Sequence, residues 1–383
     1  MKYRVTCLTP LLVGDGQRLA PIDYMIWKDQ VNVLDQNRIF RLLAKGSRLD
    51  SYLAQLKRAE KLDFASWGGF AQNFAGRRIP FEHPASSAVW ERARAEHLFI
   101  PTFATGVRGP LLPGSALRGA LRTGLLFSRW NNGILKDLAA RLQGDHPPRK
   151  PGDAVEEQII GPPGTSRMKS VAAADSHPVS ESVMKIYLSR VSTLQSRGAK
   201  LELGWKQAPR GTVEGSRPDD ATPTFAEMAA PGTVFQGGWS ELAFYSLPEV
   251  TAALRWREPS TTPTLVKAAN AYAEALLAQQ ARYAETAGLP LVGRSVESLK
   301  LRLSEAKQTG NACLLNLGWG GGLLTKSAFL DTGEESYRAV LRLIPLYARA
   351  IQSGLPFPKT RRILFLGNQP AALPGWTLVE FVG

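Results

Sequence analysis

Lys2-Tyr3-Arg4-Val5-Thr6-Cys7-Leu8 alternates polar and apolar side chains, the period of a half-buried β-strand. It runs into Thr9-Pro10-Leu11-Leu12-Val13-Gly14-Asp15-Gly16, whose glycines and proline predict a tight turn. Met25-Ile26-Trp27 and Val31-Asn32-Val33-Leu34 read as a hairpin around Lys28-Asp29-Gln30. Asp35 then caps a helix whose apolar residues, from Ile39 to Leu43, recur at helical spacing. Strand, hairpin and helix in this order predict an α+β domain of the ferredoxin type.

Further along, Pro113-Gly114-Ser115 opens the clearest helix, with Ser115 as its expected N-cap. Leu117, Leu121 and Leu125 form one apolar stripe. Gly119, Ala120 and Gly124 are small enough to let the helix lie close against a sheet, and Arg118 and Arg122 share a second face. Residues 144–170 are rich in proline, glycine and charge and read as a long exposed loop. A second such stretch, 206–223, reads as a domain junction, with strands before it (184–191) and after it (233–245). Alanine-rich 265–286 predicts a long helix, and 336–351 another that breaks near Pro345.

Composition narrows the function classes. Lys and Arg number 47 against 33 Asp and Glu, a net charge of +14 that favours an anionic partner. Cys7 and Cys313, the only cysteines, sit in apolar strand-like contexts, so two buried thiols and a reducing compartment are expected. Met1-Lys2-Tyr3-Arg4 leads into no signal-peptide core, and no apolar stretch is long enough to span a bilayer. The expectation is a soluble cytoplasmic protein without membrane partners.

The strongest pointer to chemistry is Gly318-Trp319-Gly320-Gly321-Gly322, with Lys326 four residues on. Peptide N–H groups in such a loop can converge on an anion, and Trp319 offers a flat stacking face. The spacing matches neither a P-loop nor a dinucleotide fingerprint: Thr325 precedes Lys326, and Leu323 stands where a third glycine belongs. A turn between strands is the competing reading of the same residues. Three further places suit phosphates: the start of the Pro113 helix with Ser115, Arg118 and Arg122; the Gly14-Asp15-Gly16 turn with Arg18; and the basic cluster of Lys359, Arg361 and Arg362. Each of these also reads as an ordinary solvated basic face or turn.

Catalytic arrangements are sparse. None of His83, His97, His146 and His177 has metal-ligand spacing with a cysteine or another histidine. Asp175-Ser176-His177 places three reactive types side by side, but neighbours in sequence rarely converge on one reacting atom.

Taken in order, these motifs resemble the fifth-subunit family of type III-A CRISPR (Csm) effectors, within the RAMP superfamily. Four stretches carry the likeness: Leu8 to Gly16; Leu112 to Arg122, similar to the family's P-G-S-S-[IL]-[KR]-G-A-[LI]-R; Gly318 to Lys326; and Phe357 to Arg362 followed by Pro374-Gly375-Trp376-Thr377-Leu378. Val171 to Ser176 is similar to the family's V-S-D-S but departs from it at Ala174. The resemblance implies an α+β fold of two ferredoxin-like (RRM-like) halves, the second degenerate, with loop and helical insertions. The halves would be residues 1–205 and 206–383, the latter carrying the glycine-rich loop.

The resemblance also implies a cytoplasmic ribonucleoprotein of antiviral defence, in which this subunit caps the filament at the 3′ end of the CRISPR RNA and supports guide maturation. Its partners would be the guide RNA, the repeating RAMP backbone subunit, the small subunit and recruited host nucleases. No catalytic residue, metal ligand or cofactor is assigned. The candidate RNA-binding residues are Gly14, Gly16, Arg18, Ser115, Arg118, Arg122, Gly318, Trp319, Gly320, Gly321, Gly322, Lys326, Lys359, Arg361 and Arg362. Two alternatives stay open: a metal-dependent RAMP endoribonuclease that processes CRISPR RNA, and a protein scaffold whose basic charge serves acidic partners.

Overall fold

The computed structural model describes residues 1–44, 48–58, 71–198, 200–207, 214–351 and 355–383. The opening stretch forms the strand Lys2–Cys7, which buries Tyr3, Val5 and Cys7 and turns Lys2 and Arg4 to solvent. It lies third in an antiparallel sheet ordered Ala312–Asn316, Trp376–Val382, Lys2–Cys7, Val234–Glu241, Val171–Ala173. Cys7 and Cys313 are both buried free thiols on this sheet, and burial pushes each up to about 12.

The second large sheet is built on the long strand Met184–Arg197. Lys200–Lys206 and Thr360–Leu366 flank it, and its first half also pairs with Thr224–Ala229. The fold is therefore mixed α and β with antiparallel sheets. The expected 205/206 boundary falls inside this second sheet, because the strands on either side of it share one neighbour. Part of the expected 206–223 junction, 208–213, lies outside the described residues. What is described there is the edge strand Glu214–Gly215 and a short turn of helix, Pro218–Asp220.

The predicted hairpin forms between Tyr24–Trp27 and Gln30–Leu34, with Lys28 and Asp29 both at positive φ. Asp35 caps Gln36–Leu43 as expected, its carboxylate accepting from the Arg38 N–H at 3.0 Å. The hairpin does not join the opening strand, however. It forms its own sheet with Ala75–Pro80, because both edges of Lys2–Cys7 are already taken by Val234–Glu241 and Trp376–Val382. An ion pair buried at its carboxylate end ties this small sheet to the second large one. Arg77 reaches Glu227, which is fully buried and also accepts from the Phe103 N–H.

The helix Gly114–Ser128 buries Leu117, Leu121 and Leu125 completely, worth about 1.5–3 kcal/mol each. It packs mainly on the helix Thr262–Thr286 and also touches the first sheet at Val171–Ala173 and Ala312–Asn316. A Cβ on Gly124 would lie 2.9 Å from the Ala269 Cα, so this glycine sets how closely Gly114–Ser128 and Thr262–Thr286 approach. Thr262–Thr286 and Pro290–Thr309 in turn cover Ala312–Asn316 of the first sheet.

One segment differs from expectation and one agrees with it. Residues 144–170 are not one loop, since Pro151–Ile160 is helical, starting at a proline suited to a first turn and ending at Gly161 with φ 90°. Residues 336–351 split into Glu335–Arg342 and Pro345–Ala348, with the break at the proline.

Candidate nucleic-acid interface

The turn after the opening strand is the first wall of an open cleft of about 410 Å³. Leu12, Val13, Gly14, Gly16, Gln17 and Arg18 line that wall. The Gln17 N–H donates to the Asp15 carboxylate at 3.0 Å, which shapes the turn, and the Arg18 guanidinium stacks 4.4 Å from the Phe99 ring centre. Pro101 and Thr102 also line the cleft.

Gly318, Trp319 and Lys326 form a second wall. Two segments some three hundred residues apart in sequence thus meet at one cleft. The lining holds two cations, Arg18 and Lys326, both exposed, and no carboxylate.

Gly318 explains how the second wall reaches the first. Its φ is 72°, and a Cβ there would stand 2.0 Å from the Leu12 carbonyl oxygen. The next peptide donates to the same oxygen, from Trp319 N at 2.8 Å. The loop therefore closes on the opening segment rather than standing free for a ligand. Gly320 and Gly321 also face the protein's own side chains, Pro374 and Arg362 for the first, Thr325 and Asn316 for the second; Gly322 is exposed. Among the loop residues, Trp319 and Lys326 present the side chains that line the cleft.

The basic cluster expected to dock phosphates turns inward. Arg361 is buried. Its Nε donates to Gln280 at 2.7 Å, its Nη1 donates to the carbonyls of Pro358 and Thr360, and its guanidinium lies 4.5 Å from the Tyr283 ring centre. Arg362 lies 4.2 Å from the Trp319 ring centre, and its Nη1 donates to the Ser189 hydroxyl at 3.1 Å. Burial lowers both guanidinium groups to about 10, which still leaves them charged at neutral pH. Lys359 is half-buried, and its carbonyl accepts from the Leu194 N–H.

Ser115, Arg118 and Arg122 line a separate cleft of about 750 Å³. The helix N-cap is Pro113, not Ser115. Asp175 supplies the missing cap from a distance: its carboxylate accepts from the Gly114 N–H at 2.9 Å, while the Ser176 hydroxyl accepts from the Leu112 N–H. The helix end expected to hold phosphate already holds a carboxylate. Across this cleft, Asp153, Glu156 and Glu157 of the Pro151–Ile160 helix face Arg118, Arg122 and Lys169. Arg122 pairs with Glu156 at 3.1 Å, and Arg118 Nη2 donates to the Met168 carbonyl at 2.9 Å. Reading residues 144–170 as loop hid this acidic wall, although Asp153, Glu156 and Glu157 at helical spacing were its signal.

Asp175, Ser176 and His177 form no catalytic chain, because the serine hydroxyl donates to the His177 carbonyl and the aspartate caps the helix. Among the described residues, no group of three or more His, Cys, Asp or Glu side chains gathers to hold a metal ion.

A model of the RAMP superfamily matches residues 4–249 of this chain. The chain belongs to the RAMP superfamily. Among solved structures it is similar to a chain of a Csm–crRNA–target RNA ternary complex of a type III-A CRISPR-Cas system, determined by cryo-EM. The two share 21% identity and a TM-score of 0.69, over 99% of this chain and 100% of that one. It is also similar to the crystal structure of T. onnurineus Csm5, at 17% identity and a TM-score of 0.60, again over 99% and 100% of the two chains. No curated protein matches it. The matched RAMP segment includes the Gly14–Arg18 wall and the Pro113 helix. The glycine loop lies beyond that segment, yet it closes through Leu12 on the turn that follows the opening strand.

Proposed function

We propose that this RAMP protein is a non-catalytic RNA-binding subunit of a type III-A CRISPR ribonucleoprotein. It caps the filament at the 3′ end of the CRISPR RNA, beside the repeating backbone and small subunits, and works in the cytoplasm. In this reading the chain holds two ferredoxin-like halves whose strands interleave, since each large sheet draws strands from both sides of residue 205. One observation carries the proposal: the turn at Gly14–Arg18 and the loop at Gly318–Lys326 converge on one cleft whose lining has an aromatic face, two exposed cations and no carboxylate, Asp15 of the turn accepting from the Gln17 N–H instead. The solved Csm–crRNA complex whose chain shares this fold supports the choice of partner.

A guide must be held whatever its spacer sequence, so contacts fall on phosphates and 2′-hydroxyls, with stacking that tolerates any base. The 410 Å³ cleft offers that chemistry. The 750 Å³ cleft suits it less, because its three carboxylates would face the phosphates.

The test is photo-crosslinking of guide RNA in the assembled ribonucleoprotein. Crosslinked peptides containing residues 14–18 and 318–326 are the expected result. Crosslinks elsewhere on the chain, or none, overturn the assignment. Incubating the purified chain with RNA, in Mg²⁺ and in EDTA, tests the non-catalytic part: RNA stays intact in both, whereas metal-dependent cleavage would favour the endoribonuclease alternative.

A further inference from the structure

Arg362 ends a strand-borne basic cluster, yet it does not line the cleft. Its guanidinium lies against the Trp319 ring, 4.2 Å from the centre, while Trp319 itself lines the cleft wall. Three restraints hold the arginine there. Its Nη1 donates to Ser189, a fully buried residue of the central strand Met184–Arg197. Its backbone is paired with Val191 of the same strand. Its Cδ packs beneath the loop, 3.3 Å from where a Gly320 Cβ would stand. Its guanidinium meets the indole and one hydroxyl.

We infer that Arg362 is a positioning residue. It anchors the Trp319 indole to the second sheet from behind, so that the ring is pre-set as a stacking platform for a nucleobase or ribose in the cleft. The inference rests on the RNA-binding reading above and deepens it. It also reassigns Arg362 from the phosphate contact that the sequence led us to expect.

A phosphate contact and a platform anchor leave different signatures. Losing a phosphate contact lowers the slope of log affinity against log salt by about 0.7 on a single strand, because fewer counterions are released. Losing a stacking platform lowers affinity and leaves the slope where it was. Stacking on an aromatic side chain is worth about 1–3 kcal/mol per base, so Trp319→Ala should weaken binding at least about fivefold.

The experiment titrates a fluorescent single-stranded oligouridine with the full chain over a range of salt. The variants are Trp319→Ala, Arg362→Met, Arg362→Lys and the Trp319→Ala/Arg362→Met pair, each first checked for a cooperative thermal transition. Arg362→Met should weaken binding severalfold with an unchanged salt slope. The pair should be no weaker than Trp319→Ala alone, because the two residues act as one unit. Arg362→Lys, which keeps the cation at the ring, should recover part of the loss. A reduced slope in Arg362→Met, or full additivity in the pair, overturns the anchoring role. If Arg362→Met fails to fold, Arg362→Gln, which also removes the charge but keeps a donor for the Ser189 hydroxyl, carries the same slope test. If Trp319→Ala binds like the wild type, the cleft itself is misassigned and the underlying RNA reading fails, not only the anchor.

Discussion

Replacing Gly318 by alanine would put a methyl group where the Leu12 carbonyl oxygen stands, at a φ that L-residues rarely adopt. Gly318→Ala should therefore cost about 1–3 kcal/mol and open the cleft. Urea unfolding measures the first effect and RNA titration the second. Glu227 makes a different demand. Burial outweighs its Arg77 partner and raises its pKa. A carboxyl whose folded pKa lies above its unfolded value adds stability below the unfolded value, about 4.3, and loses it as pH rises through the folded one. The advantage of the wild type over Glu227→Gln in thermal melting should thus shrink as pH climbs through that window. Arg77→Met, which strands the carboxyl, should cost about 3–5 kcal/mol at neutral pH.

The helices show what one sequence reveals and what it hides. The Leu117, Leu121 and Leu125 stripe was legible because it depends on spacing alone. So was the Asp35 cap, whose partner is three residues away. The cap of the Gly114–Ser128 helix was not: its acceptor, Asp175, comes from a segment far along the chain. Local rules pointed instead to Ser115, the nearest hydroxyl. Asp175→Ala should lower stability by about 1 kcal/mol, while Ser115→Ala should leave it nearly unchanged, and urea unfolding of the two variants separates them. The Pro151–Ile160 helix was missed for a related reason, since its proline and glycine resemble a loop until Pro151 is recognised as a first-turn residue. Arg361 and Arg362 looked like a solvent-facing cluster, but both faces of Thr360–Leu366 are covered there, Arg361 meeting Gln280 and Tyr283 and Arg362 meeting Trp319 and Ser189. Strand pairing over such separations is invisible to periodicity.

At the scale of the whole molecule, the likeness in motif order led to the superfamily, and the tertiary fold then sorted the motifs. Two of them meet in one cleft, one closes a second cleft of mixed charge, and one supports the first from beneath. The excess of cations predicts binding that weakens steeply with salt. The most direct test of the account compares two charge-reversal pairs in the full chain, with unrelated single-stranded RNA sequences titrated across salt. Arg18→Glu with Lys326→Glu should abolish most of the affinity and flatten the salt slope for every sequence alike, while Arg118→Glu with Arg122→Glu should retain most of it. Wild-type-like binding by the first pair, or affinity that follows base sequence and ignores salt, would contradict the claim that this cleft grips the sugar–phosphate chain.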